Sequence, residues 1–240
     1  MRTLYAKELD HRALNEAIRR AGDSVRITGC LGQRFIGAGM SGVHVEVKGI
    51  PGNALGAYLN GAEITVDGSA QDAVGDTMNG GRIVVRGNIG DAAGYAMRGG
   101  EIYVRDSAGY RAGIHMKEYG DKIPLLVIGG CAGSFLGEYQ AGGMIVVLGL
   151  RAEGRRIVGD FPCTGMHGGR MFLRGCADGI AFPPQVTARP ASPEDMEAVR
   201  PCVETYAALF GADAEAILAS PFTAVTPDSA NPYRRMYVEN

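Results

Sequence analysis

No excess of positive charge marks this sequence. Lysine and arginine number 24 against 26 aspartates and glutamates, for a formal net charge of −2 and a pI near 6.1. That excludes the basic field that nucleic acid or an anionic membrane surface requires. Long apolar runs are missing as well. No window approaches the roughly 18 apolar residues of a membrane span, and the opening stretch MRTLYAKELDHR carries charge from the start. Neither a transmembrane helix nor a signal peptide is expected, so the expected location is the cytoplasm. The five cysteines (Cys30, Cys131, Cys163, Cys176, Cys202) form no Cys-x-x-Cys pair and are odd in number. A disulfide framework or an iron–sulfur site is therefore not expected from this chain alone, and small reduced thiols are.

Glycine is what the chain has in excess. There are 37, and all but Gly22, Gly179 and Gly211 fall between Gly29 and Gly175. Written from recurring glycines, the sequence resolves into 19-residue units starting at Gly49, Gly68, Gly87 and Gly130. A longer unit starts at Asp106, and looser copies start at Gly29 and Gly149. The consensus is G-x2-G-x3-G-x4-G-G-x-I-x-V-x-G. A fixed period with one strand per unit predicts a solenoid whose turns stack, an all-β parallel β-helix of about seven turns. The pairs Ile64/Val66, Ile83/Val85, Ile102/Val104, Leu126/Ile128, Ile145/Val147 and Met171/Leu173 alternate as inward strand positions. Their equivalents should lie about 4.8 Å apart between turns.

So short a turn needs sharp corners, which call for positive φ or close backbone approach. Gly56, Gly75, Gly94, Gly113 and Gly137 make one expected corner column, and Gly61, Gly80, Gly99, Gly142 and Gly168 a second. Because glycine recurs after every strand, a phosphate-cradling loop is the poorer explanation. A hexapeptide acyltransferase helix would need a six-residue period, and a calcium-binding nonapeptide helix an aspartate in each half-turn. No turn supplies the clustered carboxylates of a polysaccharide-cleaving β-helix.

Three segments are expected: 1–28, an N-terminal helix and first strand; 29–182, the glycine repeat; and 183–240, a helical and extended appendage. Asp10 caps a helix running to about Ala21. Ser192-Pro193 starts a second, which Pro201 should break or kink before Val203–Phe210. A short helix follows over about Asp213–Ala219, and then an extended tail. At the central outward strand position the turns carry Glu46, Thr65, Val84, Tyr103, Val127, Val146 and Phe172. Such an apolar stripe must be covered, by the terminal helices or by another subunit, including a second copy of the chain.

Reactive side chains interrupt the rhythm only in the unit beginning at Asp106, which carries an insertion of about five residues. Arg111, His115, Lys117, Glu118 and Tyr119 suit an exposed corner that contacts a partner or lines a passage. No second catalytic group stands beside them in sequence, and no catalytic residue is assigned. His167 and His115 lack a third metal ligand, so no metal site is assigned.

Gly32-Gln-Arg-Phe-Ile-Gly-Ala-Gly39, Ala70–Met78, Gly113-Ile-His-Met-Lys-Glu-Tyr119 and Phe135-Leu-Gly-Glu-Tyr139 resemble the C-terminal glycine-repeat (GXGXG) domain of glutamate synthase large subunits. The likeness is greatest to the archaeal-type version, in which that domain is a separate polypeptide; Gly165-Met-His-Gly-Gly169 and Pro232-Tyr233 also suit it. The resemblance implies a right-handed, single-stranded β-helix with no cofactor of its own. Its implied partners are a glutaminase (class II amidotransferase) subunit and a synthase subunit holding FMN and an iron–sulfur cluster, braced so that ammonia moves internally. The glycine-repeat subunits of formylmethanofuran dehydrogenase and of N-methylglutamate synthase are similar in the same repeat. Met1 is followed by Arg2, so the N-terminal cysteine nucleophile of the glutaminases is not expected here.

Overall fold

The computed structural model describes residues 1–229. Strand β1 (Arg2–Tyr5) leads through a short 3-10 turn into helix α1 (His11–Arg20). The strands β2 (Ser24–Leu31), β3 (His44–Ile50), β4 (Asn60–Asp67) and β5 (Asn79–Val85) follow. After them come β6 (Gly99–Val104), β7 (Leu125–Ile128), β8 (Ala141–Val147) and β9 (Gly168–Arg174). Each pairs in parallel with the next, so successive turns stack as a parallel β-solenoid.

The register follows the repeat. Val45, Ile64, Ile83, Ile102, Leu126, Ile145 and Met171 align directly, as do Val47, Val66, Val85, Val104, Ile128, Val147 and Leu173. Both columns are buried and form the interior. Identical positions repeat at the strand spacing, so each aliphatic side chain packs on its own equivalent. At the N-terminal end, Asp10 Oδ1 accepts the N–H groups of Arg12 and Ala13, and α1 buries Leu14 and Ile18 against the same core.

The outward stripe is covered by the chain itself. Helix α2 (Pro193–Phe210) follows β10 (Val186–Pro190), and its Val199, Cys202, Val203 and Tyr206 cluster with Tyr103, Val127, Val146 and Phe172. The Tyr206 hydroxyl donates to Arg105 O at 2.8 Å. That covered stripe is not available to a second copy. Ser192 and Asp195 form a reciprocal capping box at the start of α2. Of the break or kink expected at Pro201, no break occurs, since α2 runs through it. Proline removes one backbone bond and strains the preceding turn, but Val199 on one side of it and Cys202 and Val203 on the other are pinned to the sheet. Burial on both sides carries the helix through the proline. Helix α3 (Ala214–Leu218) is capped by Asp213.

Strand β11 (Phe222–Pro227) then pairs antiparallel with both β9 and β10. The tail thus joins the chain's own sheet as far as Pro227. Pro232-Tyr233 lies outside the described residues.

Candidate functional site

The site is the corner that precedes each strand, and it is built from left-handed backbone. In one turn Ala54, Gly56 and Tyr58 have φ of 63, 65 and 57°. The N–H groups of Ala54 and Tyr58 reach forward to Asp72 O and Asp76 O, whereas that of Gly56 reaches back to Ile36 O. Alternate residues thus bind alternate neighbours. A non-glycine residue in this region costs about 1–2 kcal/mol, and inter-turn hydrogen bonds of about 1 kcal/mol each offset it. The same positions hold Ala73, Gly75 and Thr77 in the next turn, and later Arg111, Gly113 and His115, then Phe135, Gly137 and Tyr139.

The first expected glycine column, Gly56, Gly75, Gly94, Gly113 and Gly137, has φ between 64 and 71° throughout. A Cβ at Gly113 would also stand 2.4 Å from Ile145 Cδ1, so this position must be bare on steric grounds too. The second column divides its work differently from the expectation. Only Gly61 has positive φ (104°); in the later turns the left-handed residue is the next glycine, Gly81, Gly100, Gly143 or Gly169. Gly99, Gly142 and Gly168 instead lie where a Cβ would come within 2.8, 2.5 and 2.2 Å of the backbone of the preceding turn. At Gly80 no such close approach occurs. The pairing shifts register at this corner between Asn60 and Glu63, and there the bend moves by one residue, from Gly61 to Gly81.

Left-handed positions at the solenoid edge throw their side chains outward, and the unit from Asp106 places its polar residues there. Arg111 donates from Nε to Glu138 Oε2 at 3.0 Å, and its guanidinium lies 4.8 Å above the Phe135 ring. Phe135 in turn stacks on Phe161 at 5.3 Å. His115 stacks on Tyr139 at 5.1 Å with an interplanar angle of 9° and meets Tyr95 edge-on at 5.9 Å. Neighbouring turns are thereby tied into one outward aromatic and cationic seam, with Tyr95 and Phe161 40% and 62% exposed.

The remaining candidates sit apart from that seam. Glu118 Oε1 accepts the Gly143 N–H at 2.9 Å, stapling the insertion to the next turn. Lys117 donates its backbone N–H to Met97 O, and Tyr119 is exposed on a tight turn closed against Lys122. His167 is half-buried, its Nδ1 3.0 Å from Gly165 O, and it lies outside the ring contacts that His115 makes. Among the described residues, no group of three His, Cys, Asp or Glu side chains is arranged to hold a metal ion.

Sequence reasoning missed Tyr95, Phe135, Glu138, Tyr139 and Phe161 as members of the site. The signal was present: carrying the Arg111 and His115 columns across the longer units leads to Phe135, Phe161 and Tyr139.

The family described as the GXGXG motif matches residues 11–228. The chain belongs to the GXGXG motif family. An uncharacterized protein of Methanocaldococcus jannaschii is 40% identical over 246 residues, covering 97% of this chain and 94% of the relative. The fold is similar to that of a chain in the crystal structure of the formyltransferase/hydrolase complex from Methylorubrum extorquens in complex with methylofuran. The TM-score is 0.64 at 22% identity, covering 86% of this chain and 74% of that one. At that identity the likeness is one of fold. This GXGXG chain therefore shares its solenoid with a component of a multi-subunit complex. Among its described residues no helix is long and apolar enough to cross a membrane.

Proposed function

We propose that this chain is a non-catalytic scaffold of a glutamate synthase-type complex. In this reading it braces a glutaminase (class II amidotransferase) subunit against a synthase subunit that holds FMN and an iron–sulfur cluster. The assembly forms glutamate from glutamine with internal transfer of ammonia, in the cytoplasm. One observation carries the reading. The reactive-looking side chains of the irregular unit form a rigid outward face: Arg111 is held by Glu138, His115 lies between Tyr95 and Tyr139, and Glu118 is tied to Gly143. Rigid aromatic and arginine side chains, already ordered before contact, are the composition of protein-binding hot spots. Arg111 and His115 are assigned to partner contact on this basis, Lys117 and Tyr119 to the same face by their place beside them in the chain, and His167 by its corner in a later turn.

The test is reconstitution. The chain is co-purified with a glutaminase and an FMN-containing synthase, and glutamine-dependent glutamate formation is measured with and without it. The proposal expects a stable ternary assembly and efficient glutamine-dependent turnover only when the chain is present. Full turnover by the two enzymes alone counts against it. The likeness in fold to a chain of the formyltransferase/hydrolase complex favours a second reading, as the equivalent subunit of a formylmethanofuran dehydrogenase-type assembly. Co-purification with that enzyme's subunits instead would select it.

A further inference from the structure

A trough runs along the solenoid where β4, β5 and β6 begin, open to solvent and with a volume of about 510 Å³. Its floor is the backbone of Gly61, Gly80, Gly81 and Gly100. Three of these glycines are required by the fold. Gly61, Gly81 and Gly100 have φ of 104, 94 and 83°, and a Cβ on Gly81 would stand 2.2 Å from Ala62 O. Gly80 is different. Its backbone lies outside the left-handed region, and the nearest atom to a Cβ there is Gly61 N at 3.8 Å, an ordinary contact. Neither conformation nor internal packing calls for glycine at this position. Its bareness instead deepens the trough, and a position without Cβ is where a backbone admits close approach of another molecule.

Charge decides what fits. Glu63, Arg82 and Glu101 stand in register on adjacent strands. Arg82 and Glu101 meet at 2.8 Å and neutralise each other. Glu63, with its side chain 60% exposed, lies 3.5 Å from His44 and makes the β4 end acidic. Lys122 makes the other end basic. Its stem crosses Gly99, where a Cβ would stand 3.1 Å from Lys122 Cβ, and its turn is closed by paired backbone bonds with Tyr119. Lys122 is exposed and enters no ion pair among the described residues. Between the two ends lie the carboxamides of Asn60 and Asn79, groups that both donate and accept, as a peptide unit requires. The glutamates repel a polyanion such as nucleic acid, and the charged walls reject an apolar ligand.

We propose that this trough binds an extended segment of a partner subunit, with a basic side chain set toward Glu63 and an acidic one toward Lys122. Three strand spacings separate the two ends, roughly 14 Å, which is the reach of about four extended residues. The inference rests on the scaffold reading and adds a second contact to it. One insertion joins the two surfaces, carrying the chain from His115 at the aromatic seam to Lys122 at the trough.

The test uses the full chain, wild type and variant, with the glutaminase and the FMN-containing synthase. Gly80→Leu fills the trough, Gly80→Ala checks that the fold tolerates a side chain there, and Lys122→Glu reverses the basic end. Thermal melts of Gly80→Ala should match the wild type or lie slightly above it, because alanine restricts the unfolded chain. Affinity by calorimetry should fall about tenfold or more in Gly80→Leu and by a smaller factor in Lys122→Glu. Hydrogen exchange should show one short protected segment in the bound partner, and Gly80→Leu should abolish that protection. A Gly80→Ala melt well below the wild type shows that the fold itself demands the glycine and overturns the inference. Wild-type affinity in Gly80→Leu overturns it too, while leaving the scaffold reading in place. Should Gly80→Leu fail to fold, Lys122→Glu decides in its stead by the same criterion. A wild-type chain that binds neither enzyme overturns the inference and the scaffold reading together.

Discussion

Asp91 Oδ1 accepts the backbone N–H of Tyr110 at 2.8 Å, one turn further along the solenoid. The N–H of Asp91 is itself donated to Asp72 Oδ1 at 2.9 Å. Ser69, Asn88, Ser107 and Cys131 form a parallel chain, in which each side-chain oxygen takes the N–H of the next turn's equivalent residue. Where the solenoid departs from strand geometry, side chains thus replace the missing backbone acceptors, as short polar side chains do at turns.

Glycine makes that ladder possible. A Cβ at Gly109 would stand 2.1 Å from Asp91 Oδ1 and 2.8 Å from the Gly90 carbonyl carbon. Gly109→Ala is expected to destabilise the fold by about 1–3 kcal/mol through overpacking. Asp91→Ala should cost about 1 kcal/mol for the lost bond. Because the carboxylate causes the worst clash, the double variant should lose less than the sum, which urea unfolding of the three variants would reveal.

Phe172 is fully buried in the cluster that α2 closes. Phe172→Ala should cost about 3–5 kcal/mol. Hydrogen exchange should show α2 losing protection before the aliphatic columns of β4 and β5. Equal loss across both regions would show that helix and solenoid unfold as one unit.

Acid sensitivity is expected at the start of α2. Burial pushes the Asp195 carboxyl up, but hydrogen bonds from Arg189 and Ser192 outweigh it and hold the carboxyl below its ordinary value. A lowered folded-state value means the contribution is complete above the unfolded value of about 3.9 and fades as pH falls through the folded one. Thermal melts between neutral and strongly acidic pH should therefore show a shallower acid limb for Asp195→Asn than for the wild type.

Thiol reactivity should sort by depth. Burial raises Cys30 and Cys202 to about 11 and Cys163 to about 12, so none is a thiolate at neutral pH. Cys176 is exposed. Brief alkylation of the native chain followed by mass spectrometry should modify Cys176 well before those three, which should react only after denaturation.

At the candidate partner face, Arg111→Glu combined with His115→Ala removes the charge on Phe135 and the stack on Tyr139. The isolated chain should lose about 1–3 kcal/mol, because the Glu138 side chain is only 12% exposed and is left without its partner, while affinity for partner subunits should fall about tenfold or more, the signature of a hot-spot truncation. Unchanged affinity by calorimetry would move the docking surface elsewhere.

The strand columns were legible because burial enforces alternation, and a regular period brings Ile64, Ile83 and Ile102 into line. The caps at Asp10 and Ser192 were legible because their chemistry is local. The left-handed residues other than glycine were not. Tyr58, Thr77 and Phe135 share no feature of side chain, and what holds them is hydrogen bonding to the next turn, at Asp76, Tyr95 and Asp160. The helix through Pro201 was illegible for a related reason, since local backbone chemistry argued for a break and long-range burial overruled it.

Repetition by itself therefore determined the solenoid, its interior columns and its glycine-dense corners, because each turn meets the same neighbours and must solve the same packing problem. Only the tertiary structure decided which glycine of each pair bends and what covers the outward stripe. Those outcomes depend on backbone register between turns and on a helix that follows the repeat, and the period reports neither.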